Sequence, residues 1–461
     1  MSENKQTNEM GTGSIPKLFF KLAIPAVVAQ VVNLLYNIVD RIYIGHIPEI
    51  GASALTGVGL FASIMMFITA FSMLAGAGGA PLASISLGKN DKDHAEKIMT
   101  NSFLLLLIFA VILTIVIYIL APTLLTMFGA SEVTLPYAVD YARIYILGTV
   151  FVLIVTGMNP FITTQGFANI AMLTTIIGAV INIILDPIFI FGFGMGVKGA
   201  ALATVLSQAI GAIWILRFLT GPKTLLKLRK ENMKLDPKIF GPTLALGISP
   251  FIMVSTESLL SISFTTSLAK YGGDIAVGAM TIITSINMLV TMPLQGFTQG
   301  GQPIMSYNYG AGNVDRVKKA FFMQFGVCVG YAAIFWGLCM LMPNVLAGIF
   351  TTDAALAEYA SWAIRIYMAG IFSVGFQLAC QQSFMALGQA AISLVMAFLR
   401  KLILLIPLIF ILPNFFADKV FAVFLAEPVS DILAATITTV VFFTQFKKIM
   451  AKSQQNNELV N

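Results

Sequence analysis

The chain of 461 residues is 58% hydrophobic and only 10% charged, with a mean hydropathy of +0.89. This composition excludes an ordinary soluble globular protein and predicts a polytopic membrane protein. The net charge of +6 does not indicate a nucleic-acid-binding protein, because no separate basic domain carries it.

Apolar runs long enough to cross a bilayer follow one another along the whole chain. We place twelve of them, at residues 17–44, 53–87, 98–120, 135–158, 169–190, 197–219, 240–269, 275–307, 317–341, 357–385, 390–412 and 418–446. Residues 1–14 are predicted to form a disordered N-terminal tail, and residues 448–461 a cytoplasmic tail. The predicted fold class is therefore an all-α polytopic membrane protein with 12 transmembrane helices.

The distribution of Lys and Arg predicts the orientation in the membrane. With twelve spans both termini lie on one side, and 19 of the 27 Lys and Arg residues fall on that side, seven of them from Arg217 to Lys238. The positive-inside rule makes that side the cytoplasm. The first apolar run is too long for a cleavable signal peptide and begins with Lys17 and Lys21, as a cytoplasmic anchor does. We expect a multi-pass protein of the cytoplasmic membrane, both termini inside, in contact with anionic lipids.

The first span carries a polar stripe on an otherwise apolar helix. The stripe consists of Gln30, Asn33, Asn37 and Asp40, spaced three, four and three residues apart, with Tyr36 alongside. A polar stripe in a membrane helix lines a cavity or a contact between helices. Helix contact would explain the amides, but it explains the aspartate poorly.

A second polar group lies in the fifth and sixth spans. Asn182 and Asp186 are four residues apart, so they project from one helical face, and Thr204 returns on the next helix after a glycine-rich turn. Pro187 loosens the helix beside the carboxylate, and Pro25 is expected to bend the first span for the same reason, because proline cannot donate a backbone hydrogen bond.

The depth and cost of the aspartates favour a functional role. Asp40 and Asp186 each lie about four residues, roughly 6 Å, before the outer end of their span. An aspartate in an apolar helix costs roughly 2.5–3.5 kcal/mol on insertion scales, which argues for a cavity-facing side chain. The alternative is an aspartate near the interface at a helix end.

The two halves of the chain repeat each other. Gly78 and Gly79 align with Gly300 and Gly301, an offset of 222 residues, and Arg143-Ile144-Tyr145 aligns with Arg365-Ile366-Tyr367 at the same offset. Six spans per half return the chain to its starting side, so the halves are parallel repeats. We predict an N-lobe at 15–219, a basic linker at 220–240 and a C-lobe at 241–447. Paired lobes with buried carboxylates indicate a transporter.

The second half contains charges near mid-membrane. Glu257 lies in the seventh span, and Arg400 and Lys401 lie in the eleventh. Glu257 is expected to pair with one of these cations, since an unpaired buried charge is costly; alternatively it is itself a cation or substrate site. The position equivalent to Asp186 is close to the apolar Leu408, which favours the N-lobe as the coupling lobe.

Residues for enzymatic chemistry are scarce. The cysteines Cys328, Cys339 and Cys380 lie in apolar helices without metal-ligand spacing, and His46 and His94 lie in predicted loops. No hydrolase, metalloprotease or phosphate-binding motif occurs. We expect neither an enzyme nor a cofactor.

The chain resembles the multidrug and toxic compound extrusion (MATE) family, in its prokaryotic DinF-like and MepA-like branch. The resemblance rests on NIVDRIYIGHI at 37–47, the paired segments SLGKND and SYNYGAGN, and NIILDPIFIFGFGMGVKGAALAT, which ends at Thr204. It implies two homologous six-helix lobes forming a V-shaped cavity, and export of cationic, amphipathic drugs in exchange for H⁺ or Na⁺.

The resemblance also implies roles for individual residues. The cation-coupling site would comprise Asp40, Asn182, Asp186 and Thr204, able to hold Na⁺ or a proton, with Tyr36 and Asn159 nearby. Pro25 would be the hinge of the first helix. The substrate cavity would include Gln30, Asn33, Asn37, Glu257, Gln377 and Gln381. Other branches of the family carry one carboxylate in span seven and one in span ten. Glu257 matches the carboxylate of span seven, but this sequence has glutamines in span ten. A coupling site in the C-lobe is therefore in doubt.

The mechanism expected is competition. Two carboxylates in one apolar cavity cannot both be ionised cheaply, so a proton, a Na⁺ or a cationic drug would occupy the site in turn. The alternative function is a flippase for lipid-linked saccharide or peptidoglycan precursors, whose pyrophosphate needs several cations, whereas only Arg400 and Lys401 are mid-membrane. A membrane receptor or assembly protein would need no acidic stripe. We expect a monomer that binds drug-like cations and lipids but no nucleic acid.

Overall fold

The computed structural model describes residues 9–458, with side chains up to residue 451, and its regular structure within that range is helical. In chain order the helices are α1 (Ile15–Gly45), α2 (Gly51–Gly88), α3 (Lys92–Met127), α4 (Leu135–Leu147), α5 (Thr149–Thr164), α6 (Ala168–Pro187), α7 (Val197–Thr220), α8 (Pro237–Gly310), α9 (Val314–Leu341), α10 (Pro343–Phe350), α11 (Ala354–Tyr367), α12 (Ile371–Ala386), α13 (Ala390–Phe398), α14 (Ile406–Ile411) and α15 (Lys419–Glu458). Wider π-helical turns follow α6 at Ile188–Gly192 and α13 at Leu399–Leu405.

The predicted number of spans is confirmed. Ten helical segments within residues 9–458 are long and apolar enough to cross a membrane, and α4 with α5, bent by 59°, makes an eleventh. The 74 residues of α8 would extend about 110 Å, far more than one span requires. Gly273, with a φ of 66°, interrupts this helix between the predicted spans at 240–269 and 275–307, so α8 supplies two spans.

Contacts divide the chain into two compact units, whose borders lie inside helices. The first unit contains Val28–Val254 and the segment ending at Thr12; the second contains Gly13–Val27 and the residues from Ser255 onward. The lobe boundaries expected from the sequence, 15–219 and 241–447, therefore differ from these units. The beginning of α1 packs in the second unit, and the beginning of α8 packs in the first.

Glycines allow these close contacts. In the first unit, a Cβ on Gly247 would lie 2.1 Å from the carbonyl oxygen of Leu74. In the second unit, a Cβ on Gly300 would lie 2.4 Å from the Cα of Ala23. Helix backbones in a membrane approach this closely only where small residues leave room.

The linker between the sixth and seventh spans is held by buried side chains of the first unit. The Oε1 atom of Gln165 accepts hydrogen bonds from the backbone N–H groups of Leu225 and Leu226, at 2.7 and 2.8 Å. The buried carboxylate of Glu96 pairs with Arg229 at 2.9 Å. The basic linker predicted at 220–240 is therefore anchored along its length rather than loose.

Both ends of the described part of the chain are helical. Residues 9–12, within the tail predicted at 1–14, are helical, and Met10 is buried beside Gly166. Burial of the apolar Met10 side chain stabilises this short helical segment. Helix α15 continues to Glu458, through most of the predicted tail at 448–461. Residues 1–8 and 459–461 lie outside the described part of the chain.

The internal repeat reappears as the same hydrogen bond in each unit. The side-chain amide of Asn159 donates to the carbonyl of Ala171 at 3.1 Å, and that of Gln381 donates to the carbonyl of Ser393 at 3.1 Å. Donors and acceptors are each related by the 222-residue offset. The repeat predicted from glycine and arginine positions is therefore structural.

Candidate functional site

The polar stripe on α1 occupies the face opposite its most exposed side chains. Val31, Leu35, Ile38 and Ile42 are exposed apolar residues, whereas Gln30, Asn33, Tyr36, Asn37 and Asp40 are half-buried. The amide of Asn37 donates to the carbonyl of Asn33 at 2.6 Å. The sequence spacing thus correctly predicted one polar face, and Asp40 lies at its C-terminal end.

Helix α6 brings the second carboxylate. Asn182 and Asp186 are both buried, at 1% and 0% exposure, and they share one face of the helix. The α-helix ends at Pro187, and the π-helical turn begins at the next residue. This loosening follows from the missing N–H of proline, as the sequence predicted.

The glycine-rich turn then returns α7 to the same place. Gly196 has a φ of 55°, which a residue with a side chain rarely adopts. A Cβ on Gly199 would lie 2.7 Å from the backbone carbonyl carbon of Phe189, so the first turn of α7 packs directly on the π-helical turn. This contact places Thr204 within 3.4 Å of Asn182.

Asn182 connects the members of the site. Its side-chain nitrogen faces the Oδ1 atom of Asp186 and the hydroxyl oxygen of Thr204, each at 3.4 Å. The hydroxyl of Thr204 donates to the carbonyl of Ala200 at 3.1 Å. The carboxyl group of Asp40 lies near enough to that of Asp186 for the two charges to act on each other. The structure therefore brings together the four residues that the sequence singled out.

Three acceptor oxygens in this cluster are buried without a hydrogen-bond donor among the described residues. They are Oδ1 of Asp40, Oδ1 of Asn182 and Oδ2 of Asp186. Buried polar atoms are nearly always satisfied in proteins, and exceptions often mark a place for a ligand or an ion. The arrangement can therefore take up a cation.

Tyrosines complete the surroundings. Tyr36 lies close to both carboxylates, and the buried Tyr141 lies near Asp40 and Thr204. Tyr141 stacks on Tyr145, with ring centroids 6.0 Å apart, and both rings contact Phe61. From the sequence, Tyr145 was recognised only as part of the internal repeat, and Tyr141 was not recognised as a residue of the site. Their spacing of four residues in an apolar span is the signal that could have identified this pair.

The structure does not bring Asn159 to this cluster. Its partner Ala171 precedes Asp186 by 15 residues on α6, about 22 Å along the helix axis. Asn159 instead ties α5 to the start of α6. Gln30 and Asn33 also lie deeper along α1 than Asp40, by about 10 to 15 Å.

In the second unit, Glu257 pairs with Lys401. Of the two cations expected as its partner, Arg400 and Lys401, the structure shows the second. Arg400 instead binds the Oδ1 atom of Asp431, at 2.8 Å from Nη2 and 2.9 Å from Nε, and lies 3.7 Å from Glu427. Glu427 and Asp431 were not predicted as functional residues, although two acidic residues four apart around Pro428 in an apolar span are a visible signal. Gln377 and Gln381, expected in the substrate cavity, are buried inside this unit.

Comparisons with known proteins agree with the fold. The family model MatE matches residues 25–188 and 250–411. The multidrug export protein MepA of Staphylococcus haemolyticus is 26% identical over 430 residues, covering 92% of this chain and 93% of the relative. MepA of Staphylococcus aureus strain NCTC 8325 is 25% identical over 431 residues, covering 91% of this chain and 93% of the relative.

Solved structures match over nearly the whole chain. A crystal structure of MATE in the bent conformation superimposes with a TM-score of 0.91 at 24% identity, covering 97% of this chain and 99% of the other. An outward-facing multidrug resistance MATE family transporter has a TM-score of 0.89 at 24% identity, covering 96% and 98%. At this identity the likeness shows the fold. The ranges of the family model include Asp40, Asn182 and Asp186, but not Thr204.

Proposed function

The chain belongs to the MatE family of membrane transporters, and we propose that it exports cationic, amphipathic compounds in exchange for a proton bound between Asp40 and Asp186. The observation that carries this proposal is the group of buried oxygens without donors on Asp40, Asn182 and Asp186. The protein is a transporter and not an enzyme, and transporters of this family need no cofactor.

The substrate class follows from the charge of the site and from the relatives. Two carboxylates at one buried place attract a cation and repel an anion. The MepA relatives are named multidrug export proteins. A lipid-linked pyrophosphate would meet these acidic groups, so the flippase function is not favoured.

A proton fits the site better than Na⁺. Asn182 directs its amide nitrogen, rather than its oxygen, toward Asp186 and Thr204. In this orientation the amide offers a hydrogen-bond donor to Asp186 and Thr204, whereas Na⁺ prefers oxygen ligands. Two neighbouring buried carboxyl groups suit a shared proton, because they cannot both be ionised cheaply.

Exchange requires that proton and substrate favour different conformations, since equal affinity for both would shift nothing. Pro25 is the proposed hinge: α1 passes from one compact unit to the other between Val27 and Val28, two residues beyond it. A proton entering along the membrane potential gains about 2.3 kcal/mol per 100 mV, and the potential opposes export of a monovalent cation by the same amount. One-for-one exchange would therefore depend on the pH gradient.

The experiment is transport in liposomes containing the purified protein and a fluorescent cationic dye. A pH gradient without Na⁺ is expected to drive dye movement, and a Na⁺ gradient at constant pH is expected to drive none. Dye movement under the Na⁺ gradient alone would show that the coupling ion is Na⁺ and not a proton. No movement under either gradient, with folded protein, would contradict the export function.

A further inference from the structure

The second unit contains a group of charged side chains that the proposed exchange does not use; four of them are largely buried, and the side chain of Glu257 is 49% exposed. Glu257 on α8, Arg400 and Lys401 in the π-helical turn after α13, and Glu427 and Asp431 on α15 make up this C-terminal charge cluster. Glu427 is 7% exposed and Asp431 2%, and both lie within the last span. Glu427 is about eight residues, roughly 12 Å, from the start of α15.

The wide turn brings the cations to α15. The hydroxyl of Ser430 donates to the backbone carbonyl of Arg400 at 3.0 Å, which ties the π-helical turn to the last helix. The guanidinium of Arg400 contacts the Oδ1 atom of Asp431 twice, from Nη2 at 2.8 Å and from Nε at 2.9 Å. Lys401 is directed to Glu257. Each cation is therefore paired with a different carboxylate.

Glu427 is the carboxylate left over. Its nearest cationic atom is Nη2 of Arg400, at 3.7 Å, which is too long for a hydrogen bond. Its Oε2 atom is buried without a hydrogen-bond partner among the described residues. Three carboxylates face two cations, so the ionised cluster would carry one uncompensated negative charge. A buried charge of this kind is strongly unfavourable, and a bound cation removes it.

The surroundings select a proton over a metal ion. Arg400 stands 3.7 Å from Glu427 and would repel Na⁺ at the same place. The other ionisable groups that act on Glu427 are Glu257, Lys401, Asp431 and the buried Tyr367 of α11. A proton needs only one free oxygen, and Oε2 of Glu427 supplies it.

The internal repeat relates this place to the first site. Glu427 corresponds, at the 222-residue offset, to Val205, the neighbour of Thr204, and Tyr367 corresponds to Tyr145. The packing agrees, since a Cβ on Gly148 would meet Val205 and a Cβ on the equivalent Gly370 would meet Pro428, next to Glu427. The second unit thus carries an acidic group where the first unit has a valine beside Thr204.

We propose that Glu427 is a second proton-binding site of the chain, located in the C-terminal charge cluster. Uptake forms one O–H bond on the glutamate carboxylate with a proton from water, and it changes the cluster from a net charge of −1 to zero. Glu257, Asp431, Arg400 and Lys401 remain paired throughout. The inference does not depend on the proposed exchange at Asp40 and Asp186, because proton binding is measured without substrate.

The test is infrared spectroscopy of the purified full chain in detergent micelles, in a background carrying Asp40→Asn and Asp186→Asn. This background removes the signal of the first site, so the result is independent of the exchange proposal. Protonated carboxyl groups have a carbonyl band that carboxylates lack. The parent is expected to show this band at neutral pH, and Glu427→Gln is expected to lose the intensity of one carboxyl group per chain.

Two further variants make the result specific. Glu358→Gln changes an exposed glutamate of the same unit, and we expect it to retain the band. Asp431→Asn leaves two carboxylates for two cations, so Glu427 becomes the partner of Arg400 and the band is lost. This variant also decides the matter if Glu427→Gln does not fold. Retention of the band in either cluster variant, its absence from the parent, or its displacement by Na⁺ at constant pH would overturn the proposal.

Discussion

At the scale of single residues, the first site is an acidic pair with one amide between its helices. Asn182 faces both Asp186 and Thr204, and Asp40 meets Asp186 from α1. Because the two aspartates are buried, ionising both of them is costly, and binding of a cation removes this cost. We propose these aspartates as the ion-binding groups of the exchange, with Oδ1 of Asp40 and Oδ2 of Asp186, which lack donors among the described residues, as the binding atoms.

We expect the double change Asp40→Asn, Asp186→Asn to reduce pH-driven dye transport to the level of protein-free liposomes. Asparagine keeps the shape of the side chains but cannot bind the proton. The matched control is Asp140→Asn, a half-buried residue of α4 whose pair with Lys198 spans 3.5 Å. Its transport should stay within about twofold of the unmodified chain, since surface ion pairs contribute about 0–1 kcal/mol. Normal transport by the double variant would remove the coupling role.

At the scale of elements, departures from regular α-helix position the charged groups. The π-helical turn after Pro187 supports the return of α7, and the second one carries Arg400 and Lys401 toward α15. Helix α1 differs, because it remains continuous through Pro25. The proline nevertheless removes one backbone hydrogen bond two residues before the border between the units, which weakens the helix there.

Pro25→Ala is expected to slow dye exchange while raising the thermal unfolding temperature of the purified protein. Alanine restores the missing donor, and an interior proline costs a helix about 3 kcal/mol. Pro343→Ala is the control, since Pro343 begins α10, where a missing N–H costs little. We expect neither quantity to change in that variant. Undiminished exchange in Pro25→Ala would exclude its role as a hinge.

At the scale of the whole molecule, the repeat determines two similar units that have diverged in chemistry. The hydrogen bonds of Asn159 and Gln381 are equivalent, yet Asp186 in the first unit corresponds to Leu408 in the second. The second unit places its carboxylates on α8 and α15 instead and pairs two of them with cations. The units therefore share a fold but carry different ion chemistry.

The proposed orientation in the membrane can be tested by labelling introduced cysteines in whole cells with a membrane-impermeant maleimide. Lys198→Cys is expected to react in intact cells, and Lys230→Cys only after permeabilisation, because the basic linker should lie in the cytoplasm. Both lysines are exposed. The three native cysteines are buried, so the unmodified chain is the control and should remain unlabelled. The reverse pattern would invert the topology.

The sequence by itself determined the number of spans, the repeat, the polar face of α1 and the membership of Asn182, Asp186 and Thr204 in one site. These features depend on local periodicity, on hydropathy and on proline and glycine, which act within a few residues of the chain. Only the tertiary structure decided which charges pair, that Asn159 lies away from the site, and that Tyr141, Glu427 and Asp431 belong to charged or polar clusters. Such contacts join residues far apart in sequence, and helix packing sets them rather than any local pattern. For the same reason only the structure showed that α1 and α8 each contribute to both units, since glycine contacts with distant helices place those borders.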